Sequence, residues 1–271
     1  MTDLILNHEG PFRLGVFVSV LLAMALWEAA RPRRRRIYLR RARWGANLGI
    51  VVVDTAFMRV LLPLMAVDLA SVASERGWGL FNLVDLGYIP AMILAILLLD
   101  LVVYWQHRIF HAIPWLWRLH RVHHTDRDFD TTTALRFHPV EIVLSMLLKM
   151  AVVLLLGVPV LAVILFEVIL NGMALFNHAN LRLPQRLDGA LRSVLVTPDM
   201  HRIHHSVRRE EYDRNFGFNL SVWDRLFSSY CEAPQDGQEE MVIGQSEYPG
   251  DETCNLAFML ALPFRKNGAE T

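Results

Sequence analysis

Ten of the chain's eleven histidines fall between His107 and His205, and only His8 stands apart. Their spacing is ordered. His107-Arg108-Ile109-Phe110-His111 reads H-x-x-x-H, and both His120-Arg121-Val122-His123-His124 and His201-Arg202-Ile203-His204-His205 read H-x-x-H-H. Residues four apart share one face of a helix, so His107/His111, His120/His124 and His201/His205 each present two imidazoles in one direction. A lone buried histidine is usually a satisfied core residue, but three such pairs predict metal ligation. Imidazole suits iron, zinc, copper and nickel. Two octahedral ions offer about twelve positions, so if all ten histidines ligate there is room for oxygen or water. A zinc-protease centre needs H-E-x-x-H; Arg108, Arg121 and Arg202 hold the glutamate's place, which excludes it. The E-x-x-H pairs of soluble carboxylate di-iron bundles are absent as well.

Something must hold these side chains on one layer. The chain is 271 residues long and 54% hydrophobic, above the roughly 45–50% of a soluble domain. The excess lies in four runs, Phe12–Ala30, Gly45–Ala70, Tyr88–Trp105 and Val140–Phe176. A bilayer span takes about 20 residues, so the last run is long enough for two, and Gly157-Val158-Pro159 reads as the turn of a helical hairpin. The expectation is an all-α polytopic membrane bundle of four to five spans, capped by a histidine-rich helical layer. Arg59, Pro63 and Asp68 interrupt the second run.

The basic cluster Arg31, Arg33, Arg34, Arg35, Arg36, Arg40, Arg41 and Arg43 follows the first apolar run. A signal peptide carries its positive charge before its core, so the run reads as a retained span and the cluster as a cytosolic topology signal. Residues 1–11 then form a short external tail. Counting crossings brings all ten clustered histidines to the cytosolic face of an integral membrane protein, expected in a bacterial inner membrane. Formal net charge is zero, which argues against nucleic acid as a partner. Cys231 and Cys254 read as reduced thiols.

Three regions are expected: membrane segments and the arginine loop over residues 1–87, a histidine-bearing domain over 88–230 that is catalytic by the resemblance described below, and a cytosolic tail over 231–271. Asp100 is costly in lipid and needs a polar partner; orienting a histidine and helix packing are both open to it. Pro114 stops the helix after His111, and Trp115 and Trp117 read as interfacial anchors. The stretch from Leu181 to Val196 mixes arginines with apolar residues and is expected to lie on the membrane surface. The segment from Leu220 to Phe227 is expected under the histidine layer, and the run Leu256–Leu262 is too short to span and should dock on the core.

The three ordered histidine boxes, split by a membrane hairpin, resemble the fatty acid hydroxylase/sterol desaturase superfamily over about Leu97 to Tyr230. The resemblance includes Arg136-Phe137-His138-Pro139-Val140-Glu141, Asn177-His178-Ala179-Asn180, Thr197-Pro198-Asp199, Asn215-Phe216-Gly217 and Trp223-Asp224-Arg225-Leu226-Phe227. It implies a non-haem di-iron centre of two iron ions, O2 as co-substrate, a membrane lipid substrate, and an electron-donating reductase, ferredoxin or cytochrome b5-like protein. His107, His111, His120, His123, His124, His201, His204 and His205 match the boxes; His138 and His178 match accessory positions. Hydroxylation, desaturation and ether cleavage of a lipid alkyl chain are all compatible with it. Asp199, Asn180 and Glu141 are expected to support histidine N–H groups. The alternative is a non-catalytic membrane metal carrier or sensor. Such a transporter would place ligands near the middle of its spans, whereas these histidines sit at span ends.

Overall fold

A computed structural model describes residues 6, 8–84 and 86–265. Part of the expected N-terminal tail (1–5 and 7) and the end of the C-terminal tail (266–271) lie outside them.

Five helices are long and apolar enough to cross a membrane. Helix α1 spans Glu9–Ala30 and begins earlier than the apolar run. The second run divides. Helix α2 spans Arg40–Leu61, the chain breaks at Pro63, and α3 spans Ala66–Arg76. Proline cannot donate the hydrogen bond that would continue α2. Helix α4 runs Tyr88–Ala112 and carries the first histidine box in its last two turns. Pro114 opens α5, Pro114–His124, which carries the second box. The hairpin is α6, Pro139–Leu156, and α7, Val160–Asn177. Helix α8, Gln185–Arg192, is the helical part of the stretch expected at the membrane surface. Helix α9, Pro198–His204, carries the third box, and α10 spans Leu256–Ala261. No strand occurs among the described residues, only isolated bridges such as that between Ser206 and Ile243.

The membrane core uses small residues where helices meet. Ala66 and Ala70 of α3, Ala95 of α4 and Ala162 of α7 pack with Leu99, Val153, Val163 and Phe166. Small contacts let helix backbones approach where no hydrophobic drive exists between spans. At the end away from the histidines, Gly79 and Gly157 both have positive φ, 92° and 66°. A Cβ on Gly79 would lie 2.1 Å from the Gly157 nitrogen, so neither turn admits a larger residue. Outward faces stay apolar: Leu26, Val60 and Leu155 are 71%, 80% and 73% exposed, as helices facing lipid require.

The cap is tied to the bundle by charge. Arg43 is fully buried in α2; its Nε and Nη2 donate to Asp126 Oδ1 and Oδ2 at 2.9 and 2.7 Å, and Nη1 to Asp130 Oδ2 at 2.7 Å. Backbone N–H groups of Ile37 and Tyr38 donate to Asp128. Arg33 pairs with Asp199 and Glu239. Several arginines of the basic cluster are therefore clamps on the histidine layer, a role beyond the topology signal expected of them. The clamp also puts the arginine loop and the histidines on the same face. Docked from the other side, α10 buries Phe258 and Met259 against Ala46, Ile50 and Val122.

Candidate metal centre

Packing α4, α5 and α9 at the ends of the spans, with His178 just past the end of α7, gathers nine histidines into two groups. His107, His111, His120, His124 and His204 form one; His123, His178, His201 and His205 form the other. Within each group the ligand atoms all lie within 4.8 Å of one another. Each H-x-x-H-H divides between the groups. His120 and His124 give their shared face to the five-histidine cluster while His123 turns to the other. His201 and His205 go to the four-histidine cluster while His204 crosses over. The two clusters touch where His124 stacks on His205, ring centroids 4.5 Å apart.

Outer nitrogens are held by the surrounding chain. His107 Nδ1 donates to the Phe216 carbonyl at 2.9 Å, His120 Nδ1 to Glu141 Oε1 at 2.7 Å, His178 Nδ1 to the Ala174 carbonyl at 2.7 Å and His204 Nδ1 to the Arg214 carbonyl at 2.7 Å. His111 Nδ1 lies 3.3 Å from Asp213 Oδ1. Committing the proton to Nδ1 leaves a lone pair on Nε2, the tautomer a metal needs. Those lone pairs converge. His107 and His120 face each other Nε2 to Nε2 at 3.1 Å, and His178 meets His123 and His201 at 3.0 Å each. His107 and His120 both commit the Nδ1 proton, so their Nε2 atoms are two acceptors that repel unless a cation lies between them; the Nδ1 atoms of His123 and His201 have no hydrogen-bond partner. The buried Nε2 atoms of His111 and His204, and both ring nitrogens of His124 and His205, have no hydrogen-bond partner. Orphaned buried nitrogens are costly, so the donor set fits two divalent transition-metal ions.

Burial keeps these rings neutral. It holds His120 and His178 down at about 3, and His123, His124, His201, His204 and His205 well below the ordinary histidine value, helped by neighbouring histidines. Neutral imidazole is the ligating form. Aromatic rings close the space: Phe137 stacks on His123 at 4.5 Å, Phe129 lies 4.9 Å from His205, and Phe216 lies 5.1 Å from His111. Trp117, expected as an interfacial anchor, instead packs on His111 and His124, with Tyr212 stacked on its outer face at 5.4 Å. Trp115 stays exposed, as an anchor should.

His138 joins neither cluster. It caps α6: its Nδ1 accepts from the Val140 N–H at 3.2 Å, and its Nε2 donates to the Leu260 carbonyl at 3.2 Å. His-Pro at a helix start is a capping arrangement, with Pro139 at the first helical position. His138→Ala should cost about 1 kcal/mol of stability, as losing a helix cap does, with metal content unchanged by elemental analysis. Asp199 and Asn180 also leave the histidines; Asp199 binds Arg33 and Arg202, and Asn180 binds Arg34. Asp100 acts indirectly. It accepts from the N–H groups of Asn219 and Leu220 and from Trp223 Nε1 at 2.8 Å, fixing the loop whose Phe216 carbonyl holds His107. Only Glu141 supports a histidine as expected. Glu141→Leu would orphan the His120 N–H and should weaken metal retention roughly 10–100-fold, read by chelator competition; Glu141→Gln, which still accepts, should lose less.

A membrane helix bundle with two all-histidine clusters at the ends of its spans is the class that fold and site define. Residues 92–229 match the fatty acid hydroxylase family model. The chain belongs to that family. It is 27% identical over 177 residues to ornithine lipid hydroxylase OlsE of Rhizobium tropici, covering 65% of this chain and 51% of the relative. It is 31% identical over 155 residues to alkylglycerol monooxygenase of Homo sapiens, covering 57% and 33%, and 31% identical over 156 residues to that of Danio rerio, covering 57% and 34%. The chain thus spans about half the length of these curated relatives or less. No solved structure matches the chain.

Proposed function

We propose that the chain is an integral membrane oxygenase that uses O2 to hydroxylate an alkyl C–H bond of a lipid, with nine histidines holding two iron ions. The observation that carries this reading is the convergence of nine imidazoles in two adjacent groups at the ends of the spans, with the Nδ1 protons of His107, His120, His178 and His204 already committed elsewhere. His107, His111, His120, His124 and His204 would hold one iron; His123, His178, His201 and His205 the other. Bound iron supplies the activation of dioxygen that oxidation of an unactivated C–H bond requires. The chain's own residues do the rest. Backbone carbonyls and Glu141 fix the tautomers of His107, His120, His178 and His204, and Phe129, Phe137, Phe216 and Trp117 keep bulk water from the centre. The spans bring lipid to it.

Hydroxylation consumes one O2, two electrons and two protons and releases one water, so a donor is required: a reductase, ferredoxin or cytochrome b5-like protein. Desaturation of the same chain would draw on the same site and donor. The positive-inside rule and the clamp between the arginine loop and the layer support a cytosolic centre; we propose a bacterial inner membrane as its location and residues 88–230 as the catalytic unit. The names of the relatives, a lipid hydroxylase and a lipid monooxygenase, support the reaction class. Lipid mass spectra of one host expressing wild type or His204→Ala test the proposal. A new oxygen-bearing lipid with wild type alone is expected; identical lipids with a co-expressed donor would contradict it.

A further inference from the structure

One cleft reaches the histidines. It has a volume of about 720 Å³, and His111 lies in its wall with Phe216, its imidazole only 2% exposed beneath the cleft floor. Its remaining wall is rich in charge: Arg108, Arg209 and Arg214, against Asp213 and Glu210. Asp213 is already engaged, with Oδ1 on His111 and Oδ2 on Arg209 Nε at 3.1 Å. Arg108 Nη1 makes only long bonds, 3.4 Å to Tyr104 Oη and 3.3 Å to the Phe227 carbonyl, and Arg214 Nη1 donates to the Ser228 carbonyl at 2.8 Å. Guanidinium groups carry five donors in a fork suited to oxyanions, so each arginine retains donors for a ligand. Glu210 lies exposed among them and opposes an anion.

The cleft also adjoins lipid. On α4, Trp105, Ile109 and Ile113 (the residue just past its end) follow at four-residue spacing and are all exposed. That stripe faces the bilayer at its boundary, while Arg108 and Ala112, one position round the helix, line the cleft. A lipid lying along this stripe places its polar end among the arginines and next to His111.

Resting on the reading of the histidine clusters as the reacting centre, we infer that this cleft is the headgroup subsite for the substrate, and that it selects lipids whose headgroup carries an oxyanion. Arg108, Arg209 and Arg214 bind that oxyanion, and Glu210 tempers the affinity. Charge-assisted bonds from guanidinium to phosphate or carboxylate are among the strongest a protein makes.

The test uses the full chain, iron-loaded in neutral detergent, and native mass spectrometry of retained lipid. Dioleoyl phosphatidic acid should be retained over dioleoylglycerol, and Arg108→Gln or Arg209→Gln should weaken its retention about tenfold each. Arg209 is a surface residue, so its variant folds even if Arg108→Gln does not. Glu210→Gln should tighten retention of phosphatidic acid alone, a gain that general damage to the fold would not produce. Inorganic phosphate at millimolar concentration should not displace the lipid. Equal retention of the two lipids, indifference to the arginine and Glu210 variants, or displacement by free phosphate would each overturn the inference. Lipid oxidation is read on the same samples. With O2 and a ferredoxin–reductase pair supplied to those samples, arginine-dependent retention without any oxidation would refute the oxygenase reading and leave the anionic-lipid site standing.

Discussion

His204→Ala should lower lipid turnover by on the order of 1,000-fold, the loss expected when several kcal/mol of metal-supplied barrier reduction disappears. His204 belongs to the five-histidine cluster, with Nε2 buried among its neighbours and Nδ1 held by the Arg214 carbonyl. His205, the next residue, belongs to the other cluster. His205→Ala should therefore be as inactive as His204→Ala, yet disturb a different metal. Ligands acting as one centre are far from additive, so the double variant should be no worse than either single one. Membrane insertion should persist in all three, because no span depends on these side chains. Turnover by an inserted His204→Ala variant close to wild type would rule out a reaction at this cluster.

The largest effect on stability is expected at Arg43. Arg43→Ala leaves Asp126 and Asp130 buried without their cation, and breaking such a pair costs about 3–5 kcal/mol. Burial pushes the Asp126 carboxyl up, but Arg43 and Arg136 outweigh it and hold it well below the carboxylate range. A carboxyl depressed in the folded state contributes stability that is fully present above the unfolded value of about 3.9 and is lost as pH falls below it. Wild type should lose stability on acidification through that window, and Arg43→Ala should lack most of that dependence. Arg43→Lys keeps the charge and loses the fork, so it should recover only part of the loss. The damage should reach the metal too, since Phe129 between the two aspartates packs on His205. Unfolding midpoints in detergent, with and without added iron, measure both effects.

Much of the site was legible because its ligands sit on helices. Spacing of four gave each imidazole pair a direction, and proline gave the ends of α4 and the start of α5. The partition of His123 from His124, and of His204 from His205, was not legible, since neighbours on a helix diverge by about 100° and only the packing of α5 against α9 decides what each meets. His138, matched by resemblance to an accessory position, caps α6 through its Nδ1, an arrangement that His138-Pro139 also signals locally. Trp117 and Arg43 have sequence signals of their own, an aromatic at an interface and a basic cluster after a span, but both signals point to membrane topology rather than to the centre. The break at Pro63 was visible as an interruption, while the return of α3 onto the hairpin depends on alanines meeting Val153 and Val163 across the bundle.

The central claim is that two clusters hold two iron ions, and metal content of the purified full chain tests it most directly. About two irons per chain are predicted for wild type, falling to about one in His111→Ala and, independently, in His178→Ala, because those residues serve different clusters. A chain that binds zinc in preference to iron, or that retains less than one iron with every histidine intact, would contradict the account.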